Sequence, residues 1–292
     1  MEHVIIYLAL IIVGLALGSF AGATVWRIRA RQLIADKEVG EPYDKEEYKK
    51  LVKLTSATVT TDHSQCLYCS YKLKWYDLIP VISWISLGGK CRNCRHSIGY
   101  MEPIIEVGVA LFFVLSYMLW PYALATGFDI TRFVIWLVAG VGLAMLFAYD
   151  IKWQLLPDRI NFTIIALGVL NVIVIILTSS DTWSALISIA GAVILLSGLY
   201  LALYTFSKGQ WIGYGDVKLG LGLALLLGDW QLAFVALFAA NLIGCLIVIP
   251  GMLSGKLTRK AHVPFGPLLI LGLCVAQFFG PHLISLYAST LF

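Results

Sequence analysis

The feature that most limits the fold of this chain is a series of apolar runs that recurs from its first residues to its last. A helix of about 20 apolar residues crosses the roughly 30 Å hydrocarbon core of a bilayer. The chain is 60% hydrophobic and 13% charged, whereas about a quarter of the residues in a soluble domain are charged. The runs and the breakers between them predict helices near 4–26, 103–120, 131–150, 160–178, 183–206, 215–229, 231–251 and 264–290. We therefore expect an all-α polytopic membrane protein of about eight transmembrane helices. The sixth is short and rich in glycine, so it is the one expected to be tilted or only partly inserted.

The distribution of basic residues predicts the orientation of these helices. If the N-terminus lies outside, every one of the 21 Lys and Arg residues except Arg132 falls on the same side of the membrane. Cytoplasmic loops carry the excess of Lys and Arg, so that side is expected to be the cytoplasm. The same distribution accounts for the net charge of +4 without a nucleic-acid partner. The first apolar run is followed, not preceded, by basic residues, which predicts a retained helix over 1–27 and not a signal peptide.

The hydrophilic segment 28–100, between helices 1 and 2, is predicted to be a small cytosolic domain. Its charged part, 36–53, is typical of a solvated helix or linker. Two C-x2-C pairs follow, formed by Cys66, Cys69, Cys91 and Cys94. Four thiolates in this spacing favour a structural tetrahedral Zn²⁺. A disulfide or redox pair is the alternative, as is substitution of one ligand by His63 or His96.

Carboxylates are costly in an apolar protein, so those at helix ends are candidates for function. Asp150 ends the third predicted helix, and Asp216 begins the sixth, both on the predicted cytoplasmic side. Two aspartates brought together at that depth would share a proton and act as acid and base in peptide hydrolysis. The alternatives are that each aspartate caps its helix or pairs with the lysine two residues later. Asp158, which follows a proline at a helix start, is expected to be a cap.

The motifs together resemble those of the bacterial prepilin peptidases, the type IV leader peptidase family. Asp150 followed by Leu-Pro-Asp158 is similar to the first catalytic motif of that family, and Gly213-Tyr-Gly-Asp-Val-Lys218 is similar to the second. Further similar segments are the cysteine pairs, Gly18-Ser-Phe20 and Val263-Pro-Phe-Gly-Pro267. The resemblance covers most of the chain.

The resemblance implies an aspartyl endopeptidase of the bacterial inner membrane that removes the leader of type IV prepilins and pseudopilins at the cytoplasmic face. It implies that Asp150 and Asp216 are the catalytic pair of a peptidase domain over 101–292. Many members of the family also methylate the new N-terminus with S-adenosylmethionine, an activity associated with the cytosolic segment. Glu106 is the residue that we expect to take part in that second activity.

The chain departs from the family pattern at three places in the methyltransferase half. Gly22 stands where the family commonly has Asn, Arg29 stands in place of the proline of an Arg-Leu-Pro segment, and Glu102 replaces a common Tyr before Pro103. None of these changes touches the aspartates. Two functions from other classes remain alternatives: a transporter, which would use carboxylates near the midplane of the membrane, and a non-enzymatic pilus assembly factor.

Overall fold

The structure is a computed structural model of the chain and describes residues 2–55, 63–255 and 263–291. Within these ranges it is all-helical and contains no strand beyond two isolated bridges. The α-helices, in chain order, are α1 Glu2–Val39, α2 Lys45–Leu51, α3 Ile82–Ser86, α4 Met101–Met118, α5 Gly127–Trp153, α6 Asp158–Thr178, α7 Thr182–Val193, α8 Leu199–Ser207, α9 Tyr214–Leu227, α10 Trp230–Leu253 and α11 Gly266–Leu291. The fold class predicted from the apolar runs is therefore confirmed. Lys256, Arg259 and Lys260, which contribute to the predicted orientation, lie outside the described residues.

Seven helical segments within the described ranges are long and apolar enough to cross a membrane. They are α1, α4, α5, α6, α7 together with α8, α10 and α11. The remaining predicted span corresponds to α9, whose 14 residues give a length of only about 21 Å. This short helix is the glycine-rich one that the sequence predicted to be tilted or only partly inserted.

The described chain divides into two compact units, Met1–Val114 and Leu115–Phe292. In the first unit α1 packs closely against α4, because a Cβ on Gly18 would lie 2.6 Å from the Cα of Glu106. Small residues at such a crossing are typical of helix pairs in membranes. The predicted boundary between residues 27 and 28 falls inside α1, which continues as one helix to Val39.

The charged segment after the first span is more ordered than a solvated linker. It forms α2, which begins after Asp44; the Asp44 side chain accepts hydrogen bonds from two backbone N–H groups in the first turn of the helix. Leu51 is buried against Ala30 and Leu33 on the extension of α1. A solvated helix was one of the two predicted alternatives, the other being a linker, but the burial of one face of the helix was not predicted.

In the second unit α6 and α9 lie side by side and run in the same direction. Lys218 donates to the Asp158 carboxylate at 2.6 Å near the start of both helices. At the other end Asn171, on α6, donates to the carbonyl oxygens of Leu225 and Leu226 at 3.1 and 2.9 Å. The last carbonyls of a helix have no partner within the helix, and leaving them unpaired in an apolar region is costly. Asn171 therefore allows α9 to end among the other helices.

A π-helical turn, Ile194–Gly198, joins α7 to α8. It packs directly on α9, since a Cβ on Gly220 would overlap the carbonyl oxygen of Leu196. Ser197 also donates to the carbonyl of Val217 on α9 at 3.1 Å. Single π turns within helices are often found at functional sites. Here the turn sets the position of Tyr200, which follows it on α8.

Candidate functional site

Asp150 lies in the last turn of α5 and is 5% exposed. Its Oδ2 accepts a hydrogen bond of 3.0 Å from the backbone N–H of Gly266, the first residue of α11. A Cβ on Gly266 would lie 2.8 Å from that oxygen, so the close approach requires glycine. A distant part of the chain, more than a hundred residues away, thus holds the carboxylate in place.

Asp216 lies in the first turn of α9, and its residue is half-buried. The N-cap residue of α9 is Gly213, so no side chain caps the start of this helix. The backbone N–H of Asp216 donates to the carbonyl oxygen of Gly213 at 3.1 Å, and the Asp216 carboxylate lies beside the backbone N–H of Gly213. Gly213 and not Asp216 is the N-cap residue of α9, so the capping alternative does not describe this aspartate.

The two aspartates are brought to the same place by Leu156 and the glycines around it. A Cβ on Gly215 would lie 2.9 Å from the Cβ of Leu156, and one on Gly266 would lie 3.1 Å from its Cδ2. The end of α5, the loop before α6 and the starts of α9 and α11 therefore converge. The carboxylates are close enough that the negative charge of Asp150 acts on Asp216.

Neither aspartate is neutralised by the lysine two residues later. Lys218 pairs with Asp158, and the Lys152 ammonium lies 4.9 Å from the ring centroid of Trp153. Asp158 itself is the first residue of α6 and follows the N-cap position, which Pro157 occupies. The prediction that Asp158 caps α6 is therefore wrong, and its carboxylate binds Lys218 instead.

Tyr200 is a residue of this region that sequence analysis missed. It is 2% exposed, and its ring contacts that of Phe265, the residue before Gly266, with centroids 5.4 Å apart. Its hydroxyl is buried and has no hydrogen-bond partner among the described residues. It is close enough to interact electrostatically with Asp216. A tyrosine in an apolar helix gives no signal in the sequence that could have identified it.

The four cysteines of the two C-x2-C pairs meet in the first unit, with their Sγ atoms all within 4.8 Å of one another. The Cys66 and Cys94 sulfurs are 3.8 Å apart, and those of Cys69 and Cys91 are 3.9 Å apart. Four sulfurs bound at 2.3 Å around a tetrahedral ion would be about 3.8 Å apart, whereas a disulfide requires about 2.05 Å. The arrangement fits a metal site and not a pair of disulfides.

Both cysteine loops have the same backbone geometry. The Cys66 N–H donates to the carbonyl of Tyr71, and the Cys91 N–H donates to that of His96, each at 2.9 Å. The residue after the second cysteine of each pair, Ser70 or Arg95, has a positive φ, which turns the chain around the sulfurs.

A metal ion binds the thiolate and not the thiol. The Tyr71 backbone N–H lowers the pKa of the Cys69 thiol to about 6, whereas burial raises the pKa of the neighbouring Cys66 thiol to about 12. Asn93 also donates to the Cys69 sulfur, at 3.7 Å.

A cavity of about 200 Å³ lies within the first unit, between α1, the start of α4 and the cysteine loops. Glu106 is part of its wall and is 7% exposed. One of its oxygens accepts a 2.7 Å hydrogen bond from the backbone N–H of Val81, and the carboxylate also bonds to Ser19. Glu106 therefore fixes the segment before α3 against both spanning helices.

Comparison with known proteins places both parts of the chain in one family. Residues 12–120 match the model of the bacterial peptidase A24 N-terminal domain, and residues 137–249 match that of the type IV leader peptidase family. A prepilin leader peptidase/N-methyltransferase of Bacillus subtilis is 30% identical over 232 residues, covering 79% of this chain and 87% of the relative. The chain belongs to the type IV leader peptidase family.

Other relatives of this family extend the match over almost the full length of the chain. A prepilin leader peptidase/N-methyltransferase of Pseudomonas aeruginosa is 26% identical over 295 residues, covering 96% of this chain and 92% of the relative. A type 4 prepilin-like proteins leader peptide-processing enzyme of Escherichia coli is 28% identical over 273 residues, covering 89% and 88%. No solved structure matches the chain. The protein is thus a multi-pass membrane peptidase of this family.

Proposed function

We propose that this enzyme removes the leader peptide of prepilins or pseudopilins, with Asp150 and Asp216 as its catalytic pair. The names of its relatives support the substrate class. The observation that carries the residue assignment is the convergence of the two carboxylates around Leu156, with neither paired to a lysine. Both lie in the segment that matches the leader peptidase model.

The two carboxylates divide the work because close like charges favour a state in which one is protonated and the other ionised. The ionised aspartate takes a proton from the attacking water, and the protonated one donates to the carbonyl oxygen and later to the leaving amine. The Gly266 N–H holds Oδ2 of Asp150, which leaves Oδ1 for this chemistry. Gly213 and Gly215 beside Asp216 carry no side chains, so an extended substrate backbone can approach the pair.

We propose that this site faces the cytoplasm. Both aspartates lie at helix ends, beside Lys152 and Lys218, on the side of the membrane to which the sequence assigns almost all basic residues. A transporter would need carboxylates along a path near the midplane, and this pair lies at one end of its helices. The position suits a protease that cuts where the substrate helix enters the membrane.

We propose that the four cysteines hold a structural Zn²⁺, because a closed set of four thiolates leaves no ligand position for catalysis. We propose further that the first unit N-methylates the new N-terminus, as the names of the relatives indicate for those proteins. S-adenosylmethionine would supply the methyl group as a cationic sulfonium. The cavity beside the cysteine loops fits a cationic ligand, since Glu102, Glu106 and Trp84 contribute to its wall. Glu106, held by Val81 and Ser19, would shape this cavity.

Mass spectrometry of a prepilin incubated with the purified protein and S-adenosylmethionine tests these proposals. Wild type is expected to remove the leader and add a methyl mass to the new N-terminus. Asp181→Asn is the matched control, since Asp181 caps the start of α7, Asn can replace it as an N-cap, and it is assigned no role in the reaction. Cleavage by Asp150→Asn at the wild-type rate would refute the catalytic assignment, and an assembly factor or transporter would cut no prepilin at all.

A further inference from the structure

Glu102 lines the cavity of the first unit, and only one of its two carboxylate oxygens is hydrogen-bonded. It lies in the first turn of α4, and its Oε1 accepts a 2.7 Å hydrogen bond from the indole Nε1 of Trp26. Its Oε2 is buried and has no hydrogen-bond partner within the described part of the chain. An unpaired buried carboxylate oxygen is costly, so it is expected to have a partner in another state of the protein.

The charged groups around the cavity do not provide that partner. Arg92 also lines the cavity, but it donates to Asp77 at 2.7 Å. Arg27 is a second lining residue, and it does not bond to Oε2 of Glu102. Because Oε2 is buried, the carboxylate must turn before a donor in the cavity can reach it. That donor would have to come from a ligand, and a cationic donor would gain most from a carboxylate.

The cavity has the size and the lining for the end of a peptide. Its volume is about 200 Å³, and a cavity of about 150 Å³ holds a benzene ring. Apart from the carboxylates, its wall includes apolar surface from Ala23, Trp84 and Leu87. An aromatic or aliphatic first residue with its ammonium group fits this mixture of charge and apolar surface.

The position of the cavity also suits a membrane-bound peptide. Ser19 and Ala23 come from α1, and Glu102 and Glu106 come from α4, two helices that are candidate membrane spans. Glu102 lies in the first turn of α4, so this carboxylate is at the end of a candidate span, and residues of the cysteine loops also line the cavity. A substrate whose apolar helix begins at its N-terminus would present its ammonium group at that level.

We propose that Glu102 binds the free α-ammonium group of the processed substrate and accepts its proton before the methyl group is transferred. The inference rests on the proposed methyltransferase function and names the group that receives the substrate amine. The ammonium gives one proton to the carboxylate and becomes a neutral amine. The nitrogen lone pair then forms a bond to the methyl carbon, and the carbon–sulfur bond of the sulfonium donor breaks, leaving a neutral thioether. The new N-methylammonium group carries the positive charge.

Binding of synthetic peptides in the absence of a methyl donor tests the proposal directly. The probe is a peptide with the apolar sequence of a mature pilin, an aromatic first residue and a fluorophore at its C-terminus. It is compared with the same peptide acetylated at its N-terminus, by fluorescence anisotropy with the protein in nanodiscs. Wild type is expected to bind the free-amine peptide about tenfold more tightly, because a hydrogen bond to a charged group contributes at least that much.

Glu102→Gln is expected to abolish this preference, since Gln can still accept from Trp26 but carries no charge. Glu38→Gln is the matched control, because Glu38 is exposed on α1 and is assigned no contact with the cavity. Unchanged zinc content and elution volume show that each variant is folded. The proposal is overturned if Glu102→Gln retains the preference, or if wild type binds both peptides equally.

The same samples, given S-adenosylmethionine, separate this inference from the methyltransferase proposal. A methyl mass with wild type, together with an unchanged preference in Glu102→Gln, would reject the role of Glu102 and keep the methyltransferase. A preference that depends on Glu102, without methyl transfer by wild type, would support the ammonium site and reject the methyltransferase. Both readouts are therefore informative on their own.

Discussion

Replacing Gly266 by alanine is the most direct way to disturb the proposed active site without removing a carboxylate. The new Cβ would lie 2.8 Å from Oδ2 of Asp150 and 3.1 Å from Cδ2 of Leu156, whereas ordinary contacts begin near 3.4 Å. The Asp150 carboxylate or the start of α11 must therefore shift by several tenths of an ångström. Either movement weakens the 3.0 Å hydrogen bond from the Gly266 N–H.

The size of the effect follows from that hydrogen bond and from the alignment of the carboxylate. A hydrogen bond to a charged group contributes about 1.5 to 3 kcal/mol, and about 1.4 kcal/mol corresponds to a factor of ten in rate. A misplacement of about 1 Å costs roughly a hundredfold in an enzyme. We expect Gly266→Ala to lower kcat for leader cleavage by about 10- to 100-fold, with a smaller change in KM.

The assay is the initial rate of leader removal from a purified prepilin, measured at several substrate concentrations. Gly127→Ala is the matched control, because a Cβ at Gly127 would meet no atom within 4 Å. Gly127→Ala should cleave as wild type does. If Gly266→Ala also cleaves at the wild-type rate, the hydrogen bond from α11 does not position Asp150 for catalysis and the reasoning is wrong.

Three further predictions concern Tyr200, Asn171 and the cysteine cluster. Tyr200→Phe removes a buried hydroxyl that has no partner in the described chain, so the thermal stability should stay constant or rise. We expect kcat for cleavage to fall about tenfold, because the hydroxyl is close enough to Asp216 to interact with its charge. Asn171→Leu leaves the carbonyls of Leu225 and Leu226 unpaired and should lower the unfolding free energy by about 1 to 3 kcal/mol, measured by denaturation in detergent. Cys91→Ser should release zinc and lower the unfolding temperature of the first unit, measured by metal analysis and calorimetry, because the metal contributes directly to folding.

Each of these predictions has a control in the same unit of the chain. Tyr287→Phe changes an exposed tyrosine of α11, and an equal loss of kcat there would contradict a specific role for Tyr200. Among the described residues Asn241 bonds only within its own helix, so Asn241→Leu should cost less stability than Asn171→Leu. Ser64→Ala alters a residue near the cysteines that is not a proposed ligand, and zinc loss in this variant would contradict the assignment.

Much of the site could be predicted because its chemistry is concentrated in short motifs. The cysteine spacing predicted a cluster, and the four sulfurs meet at the separation of a tetrahedral site. Asp150 and Asp216 stood out because carboxylates are rare at the ends of apolar helices. The all-helical fold followed from the length of the apolar runs.

The remaining features depend on long-range packing that a single sequence does not encode in any local pattern. The Gly266 N–H reaches Asp150 across 116 positions of the chain, and Tyr200 looks like any other aromatic residue in an apolar helix. The length of α9 could be suspected from its glycines, but the side chain of Asn171 that caps its end could not. Glu102 was visible only as a departure from the family pattern, and its buried, unpaired oxygen appears only in the structure.

The central claim is that Asp150 and Asp216 work as one catalytic unit, and the rates of the two single variants and the double variant test it most directly. Residues that act together in catalysis lose far less than the sum of their separate effects when both are removed. We predict that Asp150→Asn and Asp216→Asn each reduce prepilin cleavage to the level of the double variant, while Asp181→Asn, which changes the N-cap of α7, retains it. Substantial cleavage by either single variant would contradict the account.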